Sequence, residues 1–147
     1  MTTGSGTGLA PIVLVEDSPS DRELACEALT AGRLANPLVT FVSGEDALAS
    51  LVARSPGDVL PVLILLDLNL PGMSGRDLLV ALRRTPSLAA VPVVALTSCD
   101  DDHDYLRGQG LPVDAYLTKP VTPARLFAAA AEVERLASGL VTRPLAR

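Results

Sequence analysis

Residues 62–72 read VLILLDLNLPG. Five branched apolar side chains, Val62 through Leu66, run without interruption into Asp67, and the turn formers Pro71 and Gly72 close the stretch. A strand with one wet face alternates polar and apolar residues; this one does not. A short continuous run of this kind suits a strand covered on both faces, as in a parallel sheet with helices above and below. Its carboxyl end then lies at the sheet rim, and that is where Asp67 stands.

The same signature recurs outward in both directions. Residues 12–15 (IVLV), 38–42, 92–96 and 115–117 are short apolar runs, several of them rich in β-branched residues, each stopped by acids, hydroxyls, Gly or Pro. Between them the apolar spacing turns helical. Leu24, Ala25, Ala28 and Leu29 form a stripe over residues 20–32, with Ser18 or Ser20 as cap and Gly32 as stop. Ala47, Leu48 and Leu51 do so over 44–53 behind Ser43, and Leu78, Leu79 and Leu82 over 76–84. A weaker helix is expected over 100–106. Thr122 and Pro123 open a last helix carrying Leu126, Phe127, Ala130, Val133 and Leu136, which Gly139 ends. Strand and helix alternate five times, which predicts a doubly wound α/β fold, (βα)5, with a five-stranded parallel sheet. Residues 1–10 read as a flexible lead-in, 11–139 as one domain and 140–147 as a tail.

Composition narrows the function. The chain has 147 residues, 48 % of them hydrophobic, which is enough for one domain with a real core. Aromatics are 3 % and Trp is absent, so the core is built from Val, Leu, Ile and Ala. A net charge of −5 argues against a nucleic-acid surface. Two cysteines, Cys26 and Cys99, make neither a disulfide framework nor a four-ligand zinc site. Residues 1–10 have no basic start or apolar stretch, so no export signal is expected, and no apolar run approaches the roughly 20 residues of a membrane span. A cytoplasmic, reducing setting follows, with no membrane partner.

In a doubly wound sheet the working site lies past the carboxyl ends of the strands. Those positions hold Glu16 and Asp17 after the first strand, Asp67 after the third, Thr97 and Ser98 after the fourth, and Lys119 after the fifth. Carboxylates gathered in one pocket repel unless a cation joins them, and hard oxygen donors suit Mg²⁺. The lysine and a hydroxyl add donors for a tetrahedral anion, and an aspartate beside them can act as a nucleophile toward phosphorus.

These residues carry a resemblance. The segments IVLVEDSP, LILLDLNLPGMSG, VVALTS and AYLTKP, in that order and at those spacings, resemble the receiver domain of response regulators in two-component signalling, over residues 12–137. The resemblance implies a flavodoxin-like receiver fold. It implies Asp67 as phosphoacceptor for a sensor histidine kinase, and Mg²⁺ held by Glu16, Asp17, Asp67 and the backbone carbonyl of Asn69. Thr97 and Lys119 would bind phosphoryl oxygens, Tyr116 would be the switch aromatic, and Asn69 and Cys99 would tune dephosphorylation. The Lys119–Pro120 bond would be cis. Such a domain is not a turnover enzyme: it catalyses its own phosphorylation and dephosphorylation, and it signals through the face made by its fourth helix, fifth strand and fifth helix. The texture of VEDSPSDREL and LLDLNLPGMSGRDLL is similar to stand-alone receivers of the bacteriophytochrome-associated type. With only LVTRPLAR after Gly139, output is expected through protein contacts, including a homodimer through that same face, for which Ala128 to Ala131 offer an apolar strip.

One segment departs from the family pattern. DDDHDYLRGQGLP, ending at Pro112, puts two glycines and a proline where an Ala-rich helix is usual, at about 1 kcal/mol for each Gly and about 3 kcal/mol for the Pro in a helix interior. His103, within that acidic run, reads as a solvated side chain, and Cys26 as a small core residue. The alternatives are a pseudo-receiver that binds partners without phosphorylation, a Mg²⁺-dependent phosphatase and a flavodoxin-like binder. The intact set of acids, Thr97 and Lys119 weighs against the first. Asn69 in place of a second acid weighs against the second, and the acidic EDSPSD loop against the third.

Overall fold

The computed structural model describes residues 9–54, 57–98, 108–132 and 139–143. Five strands, β1 (Ile12–Val15), β2 (Leu38–Phe41), β3 (Leu63–Asp67), β4 (Val93–Thr97) and β5 (Ala115–Thr118), form one sheet in the order β2-β1-β3-β4-β5, every pairing parallel. The described helices are α1 (Pro19–Ala31), α2 (Gly44–Val52), α3 (Gly75–Arg84) and α4 (Pro123–Glu132), the last being the fifth helix of the sequence reading. The weaker helix expected at 100–106 lies outside the described residues, as do Val133, Leu136, Cys99 and His103.

The continuous apolar strands are explained by what covers them. Ile12, Leu14, Leu63, Leu65, Val94 and Leu96 point to one face, where Ala25, Ala28 and Leu29 of α1 and Leu126, Ala129 and Ala130 of α4 close over them. Val13, Val15, Ile64, Leu66 and Val93 point to the other, under Ala47 and Leu51 of α2 and Leu78, Leu79 and Leu82 of α3. Every residue of β1, β3 and β4 is buried, so period-two alternation has no polar face to express.

All four helices start in the same way. Ser18, Ser43, Ser74 and Thr122 precede them, and each hydroxyl accepts the backbone N–H three residues on, from Asp21, Asp46, Asp77 and Arg125. Each bond satisfies a donor that the first turn would otherwise leave unpaired.

The structure corrects several expectations. Asp67 is the last residue of β3, paired with Leu96, rather than a residue just beyond the strand. Leu24 is 44 % exposed: it lies about 40° beyond Ala28, past the edge of the stripe that Ala25, Ala28 and Leu29 occupy. The strip from Ala128 to Ala131 is not an outward face, because Ala129 and Ala130 turn into the core. Residues 140–143, read as the start of a tail, run against the α1–β2 connection. Leu34 bridges Thr142, and buried Asn36 donates to the carbonyls of Ala10 and Gly139 and accepts from Val141 N–H at 2.8 Å.

Candidate functional site

The sheet register builds the site. Val15 pairs with Leu66, so the next residues, Glu16 and Asp67, come side by side at the rim. Glu16 N–H donates to the Phe41 carbonyl at 3.0 Å, so the backbone stays extended one residue past β1 and turns the Glu16 side chain inward, where it is 1 % exposed. Asp17, the next residue, is exposed. Oxygens of Glu16, Asp17 and Asp67 lie within 4.8 Å of one another. Arg22, on the first turn of α1, donates to the carbonyls of Glu16 and Asp17 at 2.9 and 3.0 Å and fixes the backbone that presents both acids.

Asp67 is also nearly buried, and its two oxygens are engaged separately. Oδ1 accepts from the Asn69 N–H at 2.9 Å, which bends the chain back over the carboxylate, and Oδ2 accepts from Lys119 Nζ at 3.0 Å. Gly75 lets α3 begin directly behind it: a Cβ there would stand 2.3 Å from the Asp67 carbonyl oxygen and 2.6 Å from Leu68 Cα. Lys119 reaches in from the end of β5. Its N–H donates to the Thr97 carbonyl at 2.7 Å, its bond to Pro120 is cis, and its ammonium donates to Glu16 Oε1, Asp21 Oδ2 and Asp67 Oδ2 at 3.1, 3.0 and 3.0 Å.

The pocket drives its titratable groups apart. Burial, then the hydrogen bond and repulsion from Asp67, raise Glu16 to a pKa of about 7. Burial pushes Asp67 upward too, but hydrogen bonds from Glu16, the Asn69 N–H and Lys119 outweigh it and leave the carboxylate below its ordinary range. Burial opposes the charge of Lys119, yet its bonds to Asp67, Asp21 and Glu16 prevail and hold the ammonium above the usual lysine range. The result is a pocket that favours the ionised form of Asp67 beside a cationic donor and the protonated form of Glu16.

The remaining residues singled out in the sequence sit at stated positions. Thr97 is buried at the tip of β4, in register with Thr118, and Ser98 beside it is exposed. Tyr116 is buried with Leu68 and Ala95 in a small cluster apart from the two main cores, flanked by Leu111 and Val113. Asn69 is exposed and touches Asp67 through its backbone. Asp21 and Arg22 are the site residues that sequence reasoning missed. Three oxygen donors of mixed burial, with one open to solvent, fit a hard divalent cation of the Mg²⁺ class that keeps some of its water.

The chain is similar to known proteins over most of its length. The family profile described as "Response regulator receiver domain" matches residues 12–131. Response regulator Rcp1 of Synechocystis is 36 % identical over 137 residues, covering 92 % of this chain and 93 % of that protein. A structure of Rcp1 in its Mn²⁺-bound form matches with a TM-score of 0.66 at 35 % identity, over 92 % of this chain and 99 % of that one. The bacteriophytochrome response regulator AtBRR gives a TM-score of 0.77 at 36 % identity, over 95 % of this chain and 98 % of that one. The phosphorylated cyanobacterial phytochrome response regulator RcpA gives 0.69 at 32 %, over 93 % and 100 %.

Proposed function

The chain belongs to the response regulator receiver domain family, and from that membership we propose that it is a cytoplasmic phosphorylation switch whose phosphoacceptor is Asp67. The donor is a phosphohistidine of a sensor kinase. Likeness to AtBRR, RcpA and Rcp1 across nearly their whole lengths favours a stand-alone regulator and a kinase of the phytochrome kind. The observation that carries the reading is the single ammonium of Lys119 bonded to both Glu16 and Asp67, with Asp17 in the same cluster.

In this reading an Asp67 oxygen attacks phosphorus, a P–O bond forms, and the P–N bond to the donor imidazole breaks. The Asn69 N–H and Lys119 hold the carboxylate so that it meets phosphorus in one orientation. A Mg²⁺ ion held by Glu16, Asp17, Asp67 and the Asn69 carbonyl would neutralise charge on the transferring group. Lys119 pairs with one phosphoryl oxygen and Thr97 with another in this reading. The chain turns over no external substrate; its own residues make and later hydrolyse the acyl phosphate, at a rate that Asn69 and Cys99 tune.

The output is a population shift. Thr97 moves toward the phosphoryl group and Tyr116, one strand away beside Ala95, follows it. The face that includes β5 and α4 then repacks, at a differential stabilisation of a few kcal/mol. Acetyl phosphate with Mg²⁺ should add one phosphoryl mass to the wild type and none to Asp67→Asn, read by intact-mass spectrometry. An undiminished gain in the variant, or none in the wild type, rejects the assignment.

A further inference from the structure

Lys119 has three N–H donors, and the structure directs them at three carboxylates, Glu16, Asp21 and Asp67. Glu16 and Asp67 belong to the Glu16–Asp17–Asp67 cluster; Asp21 does not. When the cluster binds a cation, its oxygens have a competing partner, and when Asp67 carries a phosphoryl group Lys119 has a new acceptor. Of its three carboxylates, only Asp21 has no reason to let go. Asp21 is also firmly mounted. It lies on the first turn of α1, where its N–H is held by the Ser18 hydroxyl, and Arg22 beside it ties that turn to the carbonyls of Glu16 and Asp17.

We propose that Asp21 is a positioning residue: it tethers the Lys119 ammonium at the mouth of the phosphoryl pocket, so that a lysine with four rotatable bonds meets the incoming anion already oriented. The inference rests on the receiver reading of Asp67 and Lys119. The Asp21 carboxylate is 33 % exposed, so solvent screens its charge and the oxygen's position matters more than its sign. A charge-assisted hydrogen bond that pre-orders a flexible cation is worth about tenfold in the affinity of the anion it serves.

The test compares Asp21→Asn with Asp21→Ala. Both lose the same charge, and only Asn keeps an oxygen acceptor for Lys119. Mg²⁺ binding and beryllofluoride binding at saturating Mg²⁺ are measured separately by calorimetry. The two variants should bind Mg²⁺ alike, and Asp21→Ala should bind beryllofluoride about tenfold more weakly than Asp21→Asn. Equal beryllofluoride affinities overturn the proposal. So does a difference that appears to the same extent in Mg²⁺ binding, which would place the effect on the cation cluster. Wild type that binds Mg²⁺ but not beryllofluoride overturns the receiver reading itself, and the tether with it.

Discussion

Glu16 and Asp67 are two carboxyls on adjacent strands, and one pocket moves them in opposite directions. Glu16 is raised from 4.5 to about 7, by burial first and by Asp67 second. Between those values the folded protein keeps a proton that the unfolded chain has released, so stability from this group is full below pH 4.5 and is lost as pH rises through about 7. Asp67, held below 3.8, acts in reverse: its contribution stands above 3.8 and fails only as pH falls through its depressed pKa. In chelator, the wild type should therefore lose on the order of 2 kcal/mol from pH 4.5 to 7 relative to Glu16→Gln, as read from urea denaturation. Parallel pH profiles for the two proteins would contradict this.

At the scale of elements, the contact between β3 and α3 is the least forgiving. Gly75 opens α3 against the backbone of Asp67 and Leu68, where no side chain is available to move aside. Gly75→Ala should cost about 2–3 kcal/mol of stability and should slow phosphorylation, because the strain falls on Asp67, the proposed acceptor. Gly108→Ala, whose added methyl meets nothing within 4 Å, should be close to neutral in the same denaturation assay. The elements themselves were legible in the sequence. The buried strands announced themselves by continuous apolar runs, and the starts of α1, α2 and α4 by hydroxyl residues and proline, whereas Ser74 at the start of α3 was not singled out. What escaped was orientation. Leu24 and the Ala128–Ala131 strip were misjudged because periodicity gives the spacing of a stripe but not its width or the direction it faces.

For the whole molecule, a cation held by the cluster of acids at one rim would link its binding to folding. Glu16, Asp17 and Asp67 bring oxygens within 4.8 Å of one another, and a cation that binds them only in the folded state adds to its stability. At 100 times its dissociation constant, Mg²⁺ contributes about 2.7 kcal/mol, so melting temperature should rise by roughly 5–10 °C in a domain of this size. Asp17→Asn, at the exposed member of the cluster, should abolish the increment from Mg²⁺. A Mg²⁺ increment retained in that variant would remove Asp17 from the site.

The order of strands and helices, the burial of the sheet on both faces and the candidate residues at its rim all follow from the amino-acid sequence alone. Each depends on neighbours in the chain or on a repeating pattern of solubility. Which of those residues meet was decided only by tertiary structure. Ser18 with Asp21, Ser43 with Asp46 and Ser74 with Asp77 are the same pattern at three helix starts, and each serine accepts the N–H of its aspartate. Nothing local separates the three aspartates. Asp21 alone among them bonds Lys119, at 3.0 Å, because α1 follows the strand whose end lies beside Asp67. The partner lies 98 residues away along the chain, and only the parallel register of β1, β3, β4 and β5 closes that distance.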